Sequence, residues 1–293
     1  GMTRGDAISA TGTAGDRNLW IVKPTNNNRG NGIRVCKSLQ AVDEHLRRKP
    51  PGTQVVVQKY MERPLLYKGR KFDLRVLVLV DNNMQVYVYR DAYCRTSTTE
   101  YDLDNVQDLF IHLTNYAVQK KKKKKPRERE LEEDEIDEDD EPQEEGNNLS
   151  MSELSAFIAQ EYGPAVDHEA IMARIREIVV TVMQAVWRKL NPQRERNTFE
   201  VFGWDFLLDE QFNVWLIEVN SNPYIGCSSG LLRAIFTGML EGAAKKCLDP
   251  FFPPPPGASA DDIPHVPGSD LWDKVYPPEP KPKPAQDAKP NAA

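Results

Sequence analysis

The amino-acid sequence predicts an α+β fold organised around an antiparallel sheet. Segments 68–95 and 202–226 each alternate apolar and polar residues on both sides of a short polar turn, which is the pattern of a β-hairpin. Between them, the stretch 171–186 repeats apolar residues every three or four positions, as an amphipathic helix does. Hairpin strands pair antiparallel, and a helix with one apolar face must pack on another element such as this sheet.

Length and composition exclude several classes of protein. The chain has 293 residues, of which 40% are hydrophobic, so it can bury a full core. Its four cysteines contain no CxxC pair, which is typical of a reducing compartment and offers no zinc site. No apolar run approaches the roughly 18 residues of a membrane span, and the opening residues lack the apolar region of a signal peptide. We expect a soluble, cytoplasmic monomer without a membrane partner.

The negative charge of the chain is concentrated in one segment. Of the formal net charge of -6, residues 120–145 carry -5, from eight Lys plus Arg and 13 Asp plus Glu, which leaves -1 for the remainder. A nucleic-acid-binding domain usually presents a basic face. The nearly neutral remainder shows no such face, and we expect no nucleic-acid partner.

The ordered chain is expected to begin at Leu19, because residues 1–18 are small and polar and predict disorder. LWIVKP is predicted as a buried strand that ends at a proline, with Lys23 near its end. In the following TNNNRGNGI loop, Gly30 and Gly32 could fold the backbone over phosphate groups, and Arg29 would add positive charge. The same composition is equally typical of an ordinary polar turn.

Two strands and a helix follow this loop. Residues 33–37 are predicted as a strand, and Ser38 as the N-cap of a helix with one apolar face. The next segment, TQVVVQKYMERPLL over 53–66, is predicted as a buried strand. Where such a strand leaves the core it could offer main-chain groups to a purine, here from the residues Gln58, Lys59, Tyr60 and Met61.

The first long hairpin places charged residues on a core strand. It is expected to turn at 81–83. Because alternate residues of a strand share a face, Lys71, Asp73 and Arg75 lie together opposite an apolar face. The three charges are either a solvated surface or a charged floor for an anionic reaction centre, which Arg95 would extend.

A shorter apolar segment, FIHLTNYAVQ over 110–119, contains three inserted polar residues, His112, Thr114 and Asn115. A lone histidine is more often structural than catalytic. A cluster of His, Thr and Asn favours a functional site instead.

A charged, low-complexity stretch over 120–148 then interrupts the folded pattern. It is too polar to offset the entropy of its own ordering, and we predict a disordered insertion. Its lysines could bind an acidic partner, but pairing with the adjacent acidic block is favoured. Beyond it, Ser150 and Glu153 predict a capping box at the start of a helix.

The second long hairpin carries acidic residues where a core strand normally has none. A turn over 210–213 would set three cross-strand pairs, Asp209 with Val214, Leu207 with Leu216, and Asp205 with Glu218. Because side chains two apart share a face, Asp205, Glu218 and Asn220 should converge. Two opposed carboxylates repel unless a cation lies between them, and this set of oxygen ligands suits Mg²⁺ bound with a phosphate.

The alternative is a hairpin whose carboxylates simply face water. Against it, the other face of the hairpin is expected to be apolar, with Trp204, Phe206, Trp215 and Ile217. Such a face requires a core behind it.

The fold is predicted to end with an amphipathic helix over 230–248. Beyond it lie 13 of the 22 prolines, which disfavours regular helix or sheet. We therefore expect residues 251–293 to form an extended tail without a core.

Seven of these segments, in this order, resemble the tubulin tyrosine ligase-like family, whose catalytic domain is an ATP-grasp fold. They are LWIVKP, NNRGNGI, VVVQKYMERPLL, GRKFDLRVLVLV, FIHLTNYAVQ, FGWDFLLD and WLIEVNSNP. The resemblance implies two α+β subdomains that grip a nucleotide. The first, 19–65, would hold the glycine-containing loop and the adenine-binding strand, and the second, 66–250, the antiparallel sheet and the Mg²⁺-binding hairpin.

The resemblance also gives roles to the polar positions. The phosphates of ATP would be contacted by Lys23, Arg29, Gly30, Gly32 and Lys71. The adenine pocket would be lined by Gln58, Lys59, Tyr60 and Met61. Mg²⁺ would be held by Asp205, Glu218 and Asn220. The meeting point of nucleotide, acceptor and amino acid would be formed by Lys71, Asp73, Arg75, Arg95, His112, Thr114 and Asn115.

The activity implied is ATP-dependent ligation through an acyl phosphate, which an amine displaces to form an amide. We expect a polyglutamylase that joins free glutamate to glutamate side chains of acidic tubulin tails, on microtubules or at a cilium or basal body. Glutamate is chosen by family frequency, since no residue pattern selects the amino acid. The alternatives are a tyrosine or glycine ligase, another acidic acceptor, or an inactive tubulin-binding module, since 18 residues are too few for the family's amino-terminal lobe.

Overall fold

The structure is a computed structural model that describes residues 17–25, 30–123, 147–163, 168–193, 195, 198–252 and 265–277. Within these residues the strands form two antiparallel sheets, one of three strands and one of eight, and helices pack against both. The predicted α+β class, with the antiparallel sheet in the larger part of the chain, is confirmed. Residues 1–16 and 124–146 lie outside the described residues, so the disorder expected for them stays a prediction.

The small sheet contains β1 (Trp20–Pro24), β2 (Arg34–Cys36) and β3 (Val55–Lys59), in the order β2-β1-β3. Helix α1 (Leu39–Arg47) packs on one face of this sheet through a small buried apolar cluster. The predicted N-cap of α1 is confirmed, because the Ser38 side chain accepts a backbone hydrogen bond from the first turn.

Strand β3 corrects one prediction. Its valines predict a buried strand, but β3 forms an edge of the small sheet, where Val56 is 44% and Val57 37% exposed. A run of valines indicates β propensity and does not specify which strand lies at the edge. Val56 is the direct partner of Lys23 on β1, and directly opposed residues share a face. An exposed apolar side chain therefore lies beside that lysine.

The large sheet has eight strands. They are β4 (Leu66–Tyr67), β5 (Arg70–Val80), β6 (Val86–Tyr89), β7 (Tyr93–Thr96), β8 (Asn148–Ser150), β9 (Glu200–Leu208), β10 (Val214–Asn220) and β11 (Trp272–Tyr276). Their order is β10-β9-β5-β6-β11, while β4 and β7 also pair with β5, and β8 pairs with β7. The predicted first hairpin is confirmed, and the Asp81 carboxylate closes its turn by accepting the N–H groups of Asn83 and Gln85.

Both ends of the stretch 120–148, which was predicted to be disordered, belong to regular elements. Helices α2 (Leu109–His112) and α3 (Tyr116–Lys123) follow β7, so the backbone of 120–123 continues a helix instead of starting a disordered segment. At the other end, β8 pairs with β7 and brings Asn148 opposite Arg95. At this end, pairing with β7 supplies backbone hydrogen-bond partners that the local sequence does not predict.

The two faces of β5 are packed differently. Helices α4 (Met151–Tyr162) and α5 (His168–Leu190) cover the apolar face, and α4 starts with the predicted capping box. On the other face, α6 (Gly230–Cys247) packs on Leu77 and Leu79. Residues 71, 73 and 75 belong to the same face by alternation. This face is therefore divided into an apolar half beneath α6 and a charged half.

The carboxyl-terminal segment contradicts the prediction of a tail without a core. Residues 265–277 pack on the large sheet, with β11 paired to β6. Trp272 is buried and donates its indole N–H to the Met239 carbonyl (3.1 Å), while Asp273 pairs with Arg90 (3.2 Å). A five-residue strand between prolines is long enough to pair because the sheet edge supplies the partner. Residues 253–264 and 278–293 lie outside the described part of the chain.

All four cysteines are free thiols, in agreement with their spacing. None of the helices in the described ranges has the combination of length and apolar character that crossing a bilayer requires.

Candidate active site

The charged half of β5 is buried and not a solvated surface. Lys71, Asp73 and Arg75 are 6%, 8% and 7% exposed, and Arg95 from β7 is 9% exposed. A charge so far removed from water needs partners, because desolvation of an unpaired ion costs several kcal/mol. Of the two alternatives left open by the sequence, the solvated surface is therefore wrong, and the charged floor for an anionic reaction centre stays a prediction.

The partners of the two arginines are carboxylates directly across the strands. Asp73 is the register partner of Arg95, and Arg75 that of Asp205. Arg95 forms a bidentate pair with Asp73, with both N–O distances 2.7 Å, and Arg75 does the same with Asp205 at 2.5 and 3.1 Å. Arg95 also reaches Asp205 at 2.9 Å, which joins the two pairs into one network. Planar guanidinium groups suit this geometry.

The network fixes the charge state of Asp205. Burial alone would raise the pKa of this carboxyl, but the charges and hydrogen bonds of Arg95 and Arg75 lower it below its ordinary value. Asp205 is therefore ionised at neutral pH. The predicted roles of Arg75, Arg95 and Asp73 agree with this arrangement in one respect, since all lie in one buried group with Asp205.

The hairpin of β9 and β10 brings Asp205 opposite Glu218, as predicted, but by a different register near the turn. Val214 pairs with Leu208, and Leu216 pairs with Phe206, one position away from the predicted pairs. A β-bulge between Leu216 and Glu218 then inserts one residue and restores the predicted pairing at Asp205.

The turn explains this shift. The Asp209 side chain is fully buried and accepts hydrogen bonds from three residues of the hairpin, Gln211, Asn213 and Trp215. The turn therefore closes on Asp209 itself, with Phe212 at a positive φ of 65°. The prediction that Trp215 lies on the apolar face is wrong, because Val214 and Leu216 pack on the core instead.

Glu218 and Asn220 complete the candidate metal site. The Asn220 side-chain nitrogen lies 3.3 Å from Asp205 Oδ2 and 3.5 Å from Glu218 Oε1, so the three predicted side chains converge. Burial, and then the charge of Asp205, raise the pKa of Glu218, while Lys23 acts against this rise. Glu218 is thus a half-buried carboxylate that faces another carboxylate.

This donor set fits a hard cation, with one restriction. Glu218 and the amide oxygen of Asn220, after rotation of its side chain, are oxygen donors of the type that Mg²⁺ prefers. Asp205 already accepts hydrogen bonds from both arginines, so it would share a carboxylate oxygen with them. Within the described residues no group of three or more His, Cys, Asp or Glu could hold a metal. The two carboxylates and one amide are the candidate.

Lys23, on strand β1 of the small sheet, lies near the carboxylates of this site. Burial lowers the pKa of Lys23, and the charges of Glu218 and Asp205 raise it in opposition. The lysine therefore lies within electrostatic reach of the hairpin. This placement agrees with the predicted contact between Lys23 and phosphate groups.

Lys71 is held by residues from two other parts of the chain. Its ammonium donates to the Tyr60 hydroxyl (3.0 Å) and to the main-chain oxygen of His112 (3.1 Å). The Tyr60 hydroxyl in turn contacts His112 Nδ1 at 2.9 Å. Tyr60 belongs to the predicted purine-binding strand, and His112 belongs to the segment 112–115, here called the HLTN segment. These two residues thus meet at one lysine.

The HLTN segment is held against the charged floor and the glycine loop. Thr114 donates to the Asp73 carboxylate. Gly30 has a φ of 77°, and a Cβ added there would lie 2.7 Å from Val118, so the loop approaches α3 too closely for another residue. Asn115 lies next to this contact and starts α3 through its carbonyl. Gly32 also has a positive φ, whereas Arg29 lies outside the described residues.

The four residues predicted to line the purine pocket differ in where their side chains lie. Gln58 shares the Lys23 face of the small sheet by alternation, and Met61 is half-buried. Lys59 instead forms an ion pair with Glu62 at 2.9 Å, so its ammonium group is already paired within the protein. The Tyr60 side chain is directed to Lys71 and His112, which leaves its main chain for the predicted role.

Three residues of this region were not predicted from the sequence. Glu62 is buried and accepts the N–H groups of Arg17 and Leu19, which holds the segment before β1 against the end of β3. Gln119 is buried and donates to the Leu113 carbonyl, which holds the HLTN segment. Gly203 lies in a core strand, where a Cβ would come within 3.0 Å of the Arg75 guanidinium. A glycine inside a predicted strand is the one available signal of such a close approach.

Comparison with known proteins gives a consistent result. The model of a family described as the tubulin-tyrosine ligase family matches residues 6–256. Tubulin glycylase 3C of Tetrahymena thermophila is 32% identical over 237 residues, and tubulin glycylase 3A of Drosophila melanogaster is 36% identical over 241 residues. Tubulin monoglycylase TTLL3 of Homo sapiens is 32% identical over 241 residues. Each alignment covers 80% of this chain but 21%, 22% and 29% of the respective relative, so the chain spans less than a third of their length.

Proposed function

Because this chain belongs to the tubulin-tyrosine ligase family, we propose that it catalyses the ATP-dependent addition of an amino acid, glycine, to glutamate side chains of a tubulin tail. The similar proteins named above are glycylases, which supports glycine. The expectation of glutamate, and of polyglutamylation, rested on family frequency and finds no support in these names. The α+β architecture with its large antiparallel sheet agrees with the ATP-grasp fold of the family.

One observation carries the chemical part of the proposal. Two arginines and a lysine are buried on one face of β5 and β7, within reach of a carboxylate pair and of Lys23. Phosphoryl transfer needs little covalent chemistry from the protein, but it needs fixed positive charge around the transferring group and two positioned reactants. Cations on rigid, buried strands provide this because they cannot reorganise during the reaction.

The residues divide into four tasks. Lys23 and Lys71 would bind the nucleotide phosphates, and Arg75 and Arg95 would stabilise charge on the acyl phosphate. Glu218 and Asn220, with a shared oxygen of Asp205, would hold Mg²⁺, which when bound neutralises charge on the phosphates. Thr114 and Asn115 keep the adjoining wall in place. The amine that displaces the phosphate would come from the free amino acid.

The test is direct. Purified protein is incubated with microtubules, Mg-ATP and one labelled amino acid at a time, and the modified tail residues are mapped by mass spectrometry. We expect incorporation of glycine and none of glutamate or tyrosine. Glu218→Gln is the inactive control. Incorporation of glutamate in preference to glycine would contradict the assignment, and modification of another acidic protein would change the acceptor.

A nucleotide-bound or inactive tubulin-binding module is the second candidate. It is favoured by the engagement of both arginines, since Arg75 and Arg95 are already neutralised by Asp73 and Asp205. For this candidate, co-sedimentation with microtubules would persist in Glu218→Gln, and neither form would turn over ATP.

A further inference from the structure

The Lys71 ammonium has a defined set of acceptors. It carries three protons and accepts none. One proton is donated to the Tyr60 hydroxyl and one to the His112 main-chain oxygen, and the ammonium lies 4.4 Å from the centre of the Tyr60 ring. Two of its three protons are thereby used inside the protein. Within the described residues, the third proton has no hydrogen-bond acceptor.

The directions of the other hydrogen bonds follow from this one. Since Lys71 can only donate, the Tyr60 hydroxyl accepts from it and gives its own proton to His112 Nδ1 (2.9 Å). The opposite ring nitrogen of His112, Nε2, must then carry a proton, which it donates to the Asn105 carbonyl (3.0 Å). The chain Lys71, Tyr60, His112, Asn105 has one consistent direction from end to end, with a neutral imidazole.

The charge states agree with this direction. Burial, followed by the neighbouring Tyr101 hydroxyl, raises the pKa of Tyr60 well above its ordinary value, so the hydroxyl keeps its proton. Burial lowers the pKa of His112, so its ring is neutral at neutral pH. Burial also lowers the pKa of Lys71 to about 7, against the charge of Asp73 on the same strand and together with that of Lys23 on β1. Lys71 is thus close to losing its charge, and each hydrogen-bond acceptor favours the ammonium form.

We propose that the side chains of Tyr60 and His112 are positioning residues for Lys71, which hold it as an ammonium ion with one proton directed to an anionic, phosphate-bearing ligand. This inference rests on the proposed function and deepens it. It gives the Tyr60 side chain a task separate from the purine contact expected of its main chain. His112 acts through Tyr60 and does not touch the ligand.

The proposal predicts a specific pH dependence. The ammonium form binds the phosphate, so affinity for Mg-ATP should be constant below the pKa of Lys71 and should fall as the pH rises through it. Removing the Tyr60 hydroxyl removes one acceptor of the ammonium ion, which is worth about one pH unit or more for a hydrogen bond to a charged group. In Tyr60→Phe the fall should therefore begin at a lower pH.

The first measurement uses the protein without nucleotide. Lysine is labelled with ¹³C, and the Cε resonance of Lys71, assigned by its loss in Lys71→Arg, is titrated by NMR. In Tyr60→Phe the midpoint should fall by about one pH unit, because the ring and its packing remain while the acceptor is lost. Tyr67→Phe is the matched control, since Tyr67 lies on β4 beside β5 and has no hydrogen bond to Lys71. Equal midpoints in Tyr60→Phe and the wild type would overturn the proposal.

The second measurement is the affinity for Mg-ATP by calorimetry between pH 5.5 and 8.5. Tyr60→Phe should bind about as well as the wild type at pH 5.5 and about tenfold more weakly at pH 8. In the Lys71→Arg background, where the charge is permanent, Tyr60→Phe should leave the pH profile unchanged. A uniform loss of affinity at every pH would indicate a merely structural role and overturn the proposal. Absence of Mg-ATP binding by the wild type, with the NMR shift present, would overturn the proposed function and leave the positioning role supported.

Discussion

The two sheets of this molecule place charged and apolar side chains in opposite ways. In the large sheet, β5 is buried from residue 71 to 80 although it contains Lys71, Asp73 and Arg75. In the small sheet, β3 leaves Val56 and Val57 substantially exposed although neither carries a polar group. Buried charge and exposed apolar surface are both unfavourable in isolation. Val56 shares the Lys23 face of the small sheet, and Lys23 lies within electrostatic reach of Asp205 and Glu218 in the large sheet. In the proposed function, the large sheet would supply fixed charge and Val56 an apolar contact for the ligand.

The comparison also separates stability from binding. Asp73 and Arg75 have their ion-pair partners within the large sheet, and Lys71 is held by Tyr60 and His112, so the buried charges are part of the folded core. Lys23 lies on the central strand β1 and Val56 on the edge strand β3 of the small sheet, and neither side chain belongs to the apolar clusters of the large sheet. Mutations in the large sheet should therefore change the free energy of unfolding, whereas mutations on this face of the small sheet should change ligand affinity.

The strongest test of the comparison is Arg95→Ala. This change leaves Asp73 without its bidentate partner and Asp205 with one arginine instead of two. An uncompensated buried carboxylate costs about 3–5 kcal/mol, so the free energy of unfolding in urea should fall by that amount. Arg63→Ala, which breaks an exposed pair with Glu210, is the control and should cost less than about 1 kcal/mol. Similar losses in the two variants would contradict a core role for the charged network.

The far edge of the large sheet gives the next largest expected effect. Trp272→Ala removes a buried indole that packs on Tyr89 and donates to the Met239 carbonyl. The free energy of unfolding should fall by about 3 kcal/mol. Phe252→Ala, at a ring that is 76% exposed in the same part of the chain, should have almost no effect. If both variants unfold at the wild-type urea concentration, β11 is not part of the folded sheet.

A smaller effect of opposite sign is expected for Glu218→Gln. The pKa of Glu218 is raised in the folded state, so its protonated form contributes stability that is present at low pH and lost as the pH rises through the folded pKa. Replacing the charged form should raise the free energy of unfolding at pH 7 by about 0.5–1 kcal/mol, because opposed like charges destabilise a sheet. ATP turnover should be lost at the same time.

Two features of this variant make the test specific. The stability gain should disappear as the pH approaches 4, where Glu218 is protonated in the wild type as well. Glu210→Gln in the exposed turn of the same hairpin is the control and should change neither quantity. Unchanged turnover in Glu218→Gln would remove the metal assignment.

The smallest effect on stability is expected for Val56→Thr in the small sheet. The side chain is exposed and threonine has a similar shape and β propensity, so the free energy of unfolding should change by less than about 0.5 kcal/mol. The affinity for Mg-ATP should fall about fourfold, the equivalent of one methyl group. Val57→Thr is matched in chemistry and exposure but lies on the α1 face by alternation, and its affinity should not change. Equal losses at both positions would place the ligand elsewhere.

Much of the candidate site could be predicted from the sequence because it depends on alternation along single strands. Lys71, Asp73 and Arg75 share a face in any β-strand of this sequence, and no tertiary information is needed. The cluster of His112, Thr114 and Asn115 was also found from the sequence, and the resemblance to a family gave it a role beside these charges. The structure brings His112 and Thr114 into contact with the same strand. The pairing of arginines with carboxylates could not be predicted, because it depends on which strands lie next to β5.

The cross-strand pairing of Asp205 with Glu218 was predicted correctly, but from a turn that differs from the actual one. A four-residue turn gives this pair directly. The actual turn closes on Asp209 and shifts the register by one, and a β-bulge at Ile217 shifts it back. The two departures cancel at the site and remain visible at the turn, where Trp215 and Leu216 exchange faces relative to the prediction.

The sequence by itself determined which side chains share a face, where helices begin and which residue types are available for a cation and a phosphate, because periodicity and capping are local properties. The tertiary structure decided which strands lie at edges, which carboxylate each arginine neutralises, and that residues 272–276 complete the large sheet. These outcomes depend on contacts between residues far apart in the chain, which the local sequence of a strand or tail does not specify. The tertiary structure also decides the charge of Lys71, because its pKa is set mainly by burial beside Tyr60 and His112.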